Sequence, residues 1–215
     1  MLDINLIQQH IENGLISRRK HPECDLYILN YTPKCQINWH WDKVTIACRG
    51  LIVDGNWNII QRPFAKFFTL DQWAGLRNHV HHLYGVQYQT MLDGPFTLTE
   101  KLDGSLGILY RNPVSQKWCV ATRGSFTSDQ AIRATEILQN KYPNIHPNTN
   151  WTYLVEIIYP ENQIVVRYEH AQLVLLGVID KDTGYDVPIS RLRYEKTYKY
   201  VPDATNLYGQ LPLAK

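Results

Sequence analysis

Short runs of β-branched and aromatic residues recur along most of the sequence, and turn residues separate them. Such runs are typical of strands, and Asp-Gly, Asn-Pro or Thr-Gly steps between them are typical of the turns that join antiparallel neighbours. The pattern therefore predicts a succession of antiparallel strands along the chain. The predicted strands are residues 26–31, 44–46, 50–53, 59–60, 96–98, 106–110, 118–121, 153–158, 164–168 and 173–179.

Three segments have helical patterns instead. Residues 2–16 repeat apolar side chains at helical spacing and end near Gly14, residues 128–142 begin at the capping residue Ser128, and residues 70–83 carry a weaker pattern. The sequence thus predicts an α+β fold dominated by antiparallel strands with flanking helices. Strand and helix signals fade after Val187, so we expect one domain over residues 1–186 and a tail, or a truncated remainder of that domain, over residues 187–215.

Composition limits the class of protein. The 215 residues carry 22 Lys and Arg against 20 Asp and Glu, a net charge of +2, so any surface for nucleic acid must be local. The four cysteines include no C-x-x-C pair, which favours reduced thiols over zinc ligands. The sequence has no signal-peptide pattern and no run of about 18 apolar residues, so we expect a cytoplasmic protein without a membrane span.

The segment Lys101-Leu102-Asp103-Gly104 carries the most specific chemistry. A lysine amine in such a position can attack the α-phosphorus of a nucleoside triphosphate and hold the nucleotide as a phosphoramidate, provided that the site favours the neutral amine. An exposed lysine beside a β-turn is the alternative, because Asp-Gly is a common hairpin turn.

Four further residues have side chains that suit such a site. Arg49 and Arg123 can each offer a forked donor to phosphate, Lys66 stands between aromatic residues, and Glu156 interrupts an apolar run. Each also has an ordinary explanation. The two arginines suit a strand start and a hairpin end, Lys66 suits an amphipathic edge, and Glu156 suits the solvent face of a strand.

Taken together, these segments resemble the covalent nucleotidyltransferases, which include polynucleotide ligases and capping enzymes. The more specific resemblance is to phage-type RNA ligases of the RNA ligase 1 branch, and it runs in order from about residue 26 to residue 179. The segments that carry it are Cys48-Arg49-Gly50, the Pro-x-x-Lys-Phe-Phe-x-Leu pattern of residues 63–70, Lys101-x-Asp103-Gly104-Ser105, Arg123-Gly124-Ser125 and the Glu-Ile-Ile-Tyr-Pro-Glu-Asn sequence that begins at Glu156.

The resemblance implies an ATP-dependent ligase fold and an enzyme of RNA repair. ATP and Mg²⁺ would be its cofactors, with AMP held covalently, and its partner would be RNA with 5′-phosphate and 3′-hydroxyl ends. Lys101 would be the catalytic residue, no side chain is assigned to a metal, and Arg123 stands where the family has lysine. The residues implied to bind the nucleotide are Tyr31, Arg49, Lys66, Asp103, Gly104, Arg123 and Glu156.

Two later motifs of the family, a Glu-Gly strand segment and a Lys-x-Lys segment, do not occur after Glu156. We therefore expect a chain that is incomplete at its C-terminus and that seals RNA poorly alone. A downstream polypeptide carrying those motifs is a candidate partner. Two other functions remain open, namely a DNA ligase or GTP-using capping enzyme, and a nucleotide- or RNA-binding module without catalysis.

Two aromatic or histidine-rich segments are ambiguous. The Trp39-His40-Trp41 segment suits either stacking on RNA bases or a partly buried aromatic patch. The histidines of residues 79–82 would not share one helix face, which favours a solvated surface over a metal site.

Overall fold

A computed structural model describes residues 2–75, 80–84 and 101–188. Two four-stranded antiparallel sheets form the framework. The N-terminal sheet has the order β1-β2-β3-β4, with strands Ile16–Lys20, Leu26–Tyr31, Arg49–Asp54 and Ile59–Gln61. The C-terminal sheet has the order β6-β5-β7-β8, in which β5 is Ser105–Arg111, β6 is Trp118–Thr122, β7 is Trp151–Ile158 and β8 is Gln172–Asp180.

Helices cover the outer faces of the sheets, and polar caps fix where they begin. The Asp3 carboxylate accepts a hydrogen bond from the Leu6 amide at the start of α1, and the Ser128 hydroxyl accepts one from the Ala131 amide at the start of α6. The helices are α1 (Ile4–Glu12), α2 (Pro33–Ile37), α3 (Lys43–Ala47), α4 (Leu70–Gly75), α5 (Val80–Tyr84) and α6 (Asp129–Lys141), with a 3₁₀ turn at Pro160–Asn162.

The core between the sheets is apolar. Alternate residues of each strand point to opposite faces, and one face of each sheet meets the other in a buried cluster that includes Leu26, Ile28 and Ile52 from the N-terminal sheet and Ile108 and Leu154 from the C-terminal sheet. The opposite face of the N-terminal sheet packs on α1, and that of the C-terminal sheet packs on α6. This arrangement confirms the predicted α+β class with antiparallel sheets and flanking helices.

Two strand predictions are wrong. Residues 44–46 belong to α3 because Asp42 and Thr45 form a capping box, with the Asp42 carboxylate accepting from the Val44 and Thr45 amides at 2.8 Å. That cap outweighs the β-branched composition of the segment. Residues 164–168 form no strand because the amides of Val165 and Val166 donate to a side chain instead of a neighbouring strand.

Two elements were not predicted. The edge strand β1 contains Arg18, Arg19 and Lys20, so it lacks the apolar composition typical of a strand. Helix α2 is only five residues long, which is too short for a helical pattern to be recognised. The helix expected over residues 70–83 is replaced by α4 and α5, and residues 76–79 between them lie outside the described residues. The strand predicted at residues 96–98 and the tail from residue 189 also lie outside them, so the proposed tail over residues 187–215 stays a prediction. Within the described ranges, no helix has the length and apolar character that crossing a membrane requires.

Candidate active site

Lys101 lies four residues before the start of β5, and its side chain is exposed. The chain next runs close against β7. A Cβ atom placed on Gly104 would lie 2.5 Å from the Ile157 carbonyl oxygen and 3.1 Å from Cγ of Glu156. Only glycine fits this approach, so Gly104 holds the segment that carries Lys101 beside Glu156.

Glu156 is half-buried, and strand pairing sets its direction. It pairs with Leu106 of β5, which packs into the core between the sheets, so the Glu156 side chain lies on the face of the C-terminal sheet that meets the N-terminal sheet. Burial raises the pKa of Glu156 to about 7, the Lys101 ammonium works in the opposite direction, and the Asp103 charge raises it further. The site therefore contains a carboxyl group that changes charge near neutral pH.

The Asp103 carboxylate organises a loop. Its Oδ2 accepts hydrogen bonds from the Val165 and Val166 amides at 2.6 and 2.7 Å, and the Asp103 amide donates to the Tyr168 hydroxyl at 3.0 Å. These backbone donors hold the pKa of Asp103 below its usual value. One oxygen of Asp103 is thus committed to the loop after β7, and the predicted contact of this carboxylate with a nucleotide stays a prediction.

A second group consists of basic side chains that lie around Tyr31, at the end of β2. Arg123 Nη1 donates to the Tyr31 hydroxyl at 3.2 Å, and the Arg49 guanidinium carbon lies 4.8 Å from the centroid of the Phe67 ring. The Lys66 Nζ lies 4.1 Å from the centroid of the Phe68 ring. The structure therefore brings Tyr31, Arg49, Lys66 and Arg123 together.

These cations repel one another and have no acidic partner among the described residues. Burial lowers the pKa of Lys66, and the positive charges of Arg49 and Arg123 lower it further. Burial also lowers the pKa of Arg49, whose Nη1 is buried without a hydrogen-bond acceptor among the described residues. The salt bridges within the described part of the chain are His10–Asp42 and Arg133–Glu136, and neither involves these cations. Such an unbalanced cluster suits a polyanionic ligand.

The strand register relates the two groups. Gly107 pairs with Thr122, so Arg123 lies one residue beyond the end of the β5–β6 ladder, next to Leu106, while Glu156 pairs with Leu106 on the other side. A Cβ on Gly50 would lie 2.7 Å from Ile108 Cδ1 and 3.1 Å from the Arg123 Cα, so Arg49 and its neighbours approach the same end of the C-terminal sheet. Convergence of all the predicted residues on one pocket stays a prediction.

Two tyrosines of this region were not predicted, whereas Trp41 belongs to the segment for which the sequence left RNA stacking and a partly buried aromatic patch open. Tyr84 donates from its hydroxyl to the Lys66 carbonyl at 2.6 Å, Tyr168 accepts from Asp103, and Trp41 lies beneath the Lys66 ammonium, 5.5 Å from its ring centroid. The doublet of tryptophans around His40 was the available signal for Trp41. No sequence signal marked the two tyrosines, because their contacts are set by distant segments.

The described carboxylates offer little for a metal ion. Among the residues that the structure describes, no three His, Cys, Asp or Glu side chains come together. Among the described residues, Glu156 and Asp103 are the carboxylates beside Lys101, and Asp103 already accepts two backbone hydrogen bonds. A divalent cation here would depend mainly on ligand phosphate oxygens and water, which Mg²⁺ prefers.

Comparisons with known proteins identify relatives of this arrangement. A family model described as RNA ligase matches residues 47–200. The chain is 29% identical over 198 residues to an RNA ligase of Rhodothermus phage RM378, covering 75% of this chain and 43% of the relative. An archaeal ATP-dependent RNA ligase has the same fold, with a TM-score of 0.56 and 14% identity over 100% of this chain and 53% of that one. The chain thus spans about half the length, or less, of these relatives.

Proposed function

The chain belongs to the RNA ligase family, and from that premise we propose that it is an ATP-dependent RNA ligase that works through a lysyl-AMP intermediate on Lys101. Family membership and the ligase fold confirm the resemblance drawn from the sequence. The activity, the nucleotide and the RNA ends belong to the proposal.

The observation that carries the proposal is the placement of charge. Lys101, an exposed lysine, lies beside the half-buried carboxyl of Glu156, and Arg49, Lys66 and Arg123 form a cationic group around Tyr31 that has no acidic partner in the described ranges. A nucleophile beside unpaired cations suits a phosphate-containing substrate. The nucleoside triphosphate supplies the missing negative charge.

The first step forms a bond between Lys101 Nζ and the α-phosphorus of ATP. The bond from that phosphorus to the bridging oxygen breaks, pyrophosphate leaves, and the amine loses a proton. Arg49 and Arg123 provide forked donors for phosphate oxygens, and Lys66 adds a point charge. Their main effect is to stabilise the charge that develops at phosphorus. A bound Mg²⁺ would offset the triphosphate charge, with Glu156 and Asp103 as the nearest described carboxylates.

The later steps transfer AMP to RNA. A 5′-phosphate oxygen would attack the lysyl-AMP phosphorus, which frees Lys101 and creates a 5′-to-5′ pyrophosphate link. A 3′-hydroxyl would then attack the RNA phosphorus and release AMP. Both steps use the phosphate-binding cations again. Glu156, which lies beside Lys101, would accept hydrogen bonds from the ribose hydroxyls of AMP.

The test is covalent labelling. We expect a gain of one AMP in the intact mass after incubation with ATP and Mg²⁺, mapping to Lys101. Lys101→Arg keeps the charge but removes the nucleophile, so it should abolish labelling without unfolding the chain. Lys117→Arg is the matched control, because Lys117 is exposed at the far end of β6. AMP on another lysine, or no AMP on the parent chain, would overturn the proposal.

The proposed substrate ends are tested separately. RNA with a 5′-phosphate should accept AMP from the labelled chain, whereas dephosphorylated RNA should not. Joining to a 3′-hydroxyl end is measured with the chain alone and with an added polypeptide that carries Glu-Gly and Lys-x-Lys segments. Preferential transfer to DNA ends would instead identify a DNA ligase.

A further inference from the structure

A small aromatic cavity lies beside the cationic group. It has a volume of about 180 Å³, and its walls include Gln36, Trp39, Trp41, Lys66, Phe68 and Gln72. Drug-sized ligands occupy cavities of roughly 300–1,000 Å³. This cavity therefore suits a single planar ring system better than a whole nucleotide.

Trp39 presents an open ring at the mouth of this cavity. Its side chain is 49% exposed, although its ring is nearly parallel to that of Phe68, at an interplanar angle of 13° and a centroid separation of 5.9 Å. Phe68 is buried and gives the pair a fixed base. The outer face of the Trp39 ring is thus available for another aromatic ring.

The backbone holds Trp39 there at a cost. Its φ of 52° lies in the left-handed region, which bulky side chains rarely adopt. Hydrogen bonds on either side maintain this turn, from the His40 amide to the Cys35 carbonyl at 3.0 Å and from the Trp41 amide to the Trp39 carbonyl at 2.9 Å. An exposed tryptophan in a strained conformation is a common feature of binding sites.

Trp41 contributes a polar atom that lacks a partner. Its Nε1 is buried and has no hydrogen-bond acceptor among the described residues. The ring meets Phe68 edge-on at 5.5 Å and Tyr31 edge-on at 5.1 Å, so it connects the cavity to the cationic group. Buried polar groups are almost always satisfied, and a ligand with acceptor atoms would satisfy this one.

Charge identifies the class of ligand. The Lys66 ammonium lies 4.1 Å from the Phe68 centroid and 5.5 Å from that of Trp41, and it has no acidic partner in the described part of the chain. An aromatic surface beside an unpaired cation binds an unstacked base and the phosphate next to it, which is how proteins hold single-stranded RNA. The Lys66 ammonium donates to the Phe67 carbonyl, but an apolar ligand would leave its charge without a counter-ion and the indole N–H without an acceptor.

We propose that the Trp39 ring stacks on the 5′-terminal base of single-stranded RNA whose 5′-phosphate reaches Lys66. This inference rests on the proposed ligase function, because the 5′-phosphate must approach the cations that previously held pyrophosphate. The cavity would then bind the 5′-phosphorylated end of the RNA, whereas Lys101 and Glu156 would bind AMP.

The experiment measures binding of a short 5′-phosphorylated single-stranded RNA by fluorescence anisotropy. Trp39→Ala should raise Kd about fivefold to a hundredfold, which corresponds to the usual value of one base–aromatic stack. Trp39→Phe retains a ring and should stay near the parent value. Ile37→Ala is the matched control, because Ile37 is exposed on the rim of the same cavity without an aromatic ring.

An RNA that lacks only its 5′-terminal base allows a double-mutant cycle between the Trp39 ring and that base. The parent chain should bind it about as weakly as Trp39→Ala binds the complete RNA, and Trp39→Ala should lose no further affinity, since both changes remove one interaction. Equal RNA binding by the parent and Trp39→Ala chains would overturn the inference even where Lys101 takes up AMP. A larger effect on ATP affinity than on RNA affinity would show that the ring holds adenine instead. Absence of AMP on Lys101 would overturn the ligase proposal on which the inference rests.

Discussion

Glu156 is the residue whose ionisation distinguishes this site from an ordinary surface cluster. It lies in β7 between buried neighbours, and burial raises its pKa to about 7 from an ordinary value of 4.5. The native chain therefore binds a proton at Glu156 more tightly than the unfolded chain does. Between about pH 4.5 and 7, the contribution of Glu156 to the free energy of unfolding should fall as pH rises.

Glu156→Gln should remove this dependence. Glutamine has a similar shape to glutamate but does not titrate. The unfolding free energy of the parent minus that of Glu156→Gln should therefore decline from about pH 4.5 to 7 and stay constant outside that range. Urea unfolding at a series of pH values measures the difference. Glu136→Gln is the control, because Glu136 is exposed in a surface ion pair with Arg133. Parallel curves for parent and Glu156→Gln would contradict the assignment.

Asp103 acts on the loop that follows β7. Its carboxylate binds the Val165 and Val166 amides at 2.6 and 2.7 Å, although both side chains are exposed. We expect Asp103→Ala to accelerate hydrogen exchange at those two amides by about tenfold or more, because both amides lose their charged hydrogen-bond acceptor. Asp54→Ala removes the comparable acceptor of the Asn56 and Asn58 amides and should leave residues 165 and 166 unchanged. Unchanged exchange in Asp103→Ala would show that the loop is held elsewhere.

At the level of the elements, Gly50 fixes how closely β3 approaches the end of β6. Its φ is 89°, and a Cβ there would lie 2.7 Å from Ile108 Cδ1 and 3.2 Å from the Arg123 carbonyl oxygen. This approach places Arg49 next to Arg123. A side chain at residue 50 would therefore strain the backbone and push the two elements apart.

Gly50→Ala should lower the free energy of unfolding by about 2 kcal/mol or more, because left-handed strain alone costs about 1–3 kcal/mol and the overlap with Ile108 adds to it. Gly124→Ala is a matched control at the residue after Arg123, since a Cβ there meets nothing within 4 Å. It should change the stability by less than about 0.5 kcal/mol. Thermal unfolding of both variants gives the comparison, and equal melting temperatures would contradict the close approach.

The elements also show what the sequence could predict. Strands β2, β3, β5, β7 and β8 and helix α6 follow from local patterns, because strand composition and the Ser128 cap agree with their surroundings. The composition of residues 44–46 wrongly predicts a strand, because the capping box of Asp42 and Thr45 begins a helix there. Residues 164–168 mislead because Asp103, which is distant in sequence, takes their amides.

At the scale of the molecule, a small polar contact ties the two sheets. The Thr152 hydroxyl of β7 donates to Oε1 of Gln61 in β4 at 2.8 Å and accepts from the Arg62 amide at 2.8 Å, and both Thr152 and Gln61 are buried. These atoms lie where the sheets meet, away from water. Removing the hydroxyl would leave two buried groups unsatisfied.

Thr152→Val keeps the shape and removes the hydroxyl, so the free energy of unfolding should fall by about 1–3 kcal/mol. Thr127→Val is the control, because Thr127 is exposed just before α6. This substitution should change the free energy of unfolding by less than about 0.5 kcal/mol. Chemical denaturation followed by circular dichroism measures both. A loss no greater in Thr152→Val than in Thr127→Val would show that the contact does not hold the sheets together.

Contacts of this range explain why only part of the candidate site was predictable. Lys101, Arg49 and Glu156 stand in short motifs that a single sequence displays. The Gln61–Thr152 contact joins residues 91 positions apart, and the contacts of Tyr84 and Tyr168 span 18 and 65 positions. Which aromatic and polar side chains surround the motifs depends on how the sheets stack, and local patterns do not contain that information.

The division of the site between two sheets has a consequence for synthesis. The N-terminal sheet is complete in sequence by Gln61, but β5, which helps to cover its inner face, begins only at Ser105. Chains grow from the N-terminus, so Arg49 and Lys66 leave the ribosome well before Lys101 and Glu156, while the apolar inner face still lacks its cover. A nascent chain can therefore present these cations before Lys101, the proposed nucleophile, is available. Covalent uptake of AMP would then mark a molecule whose two sheets have closed, and it would separate finished chains from partly folded ones.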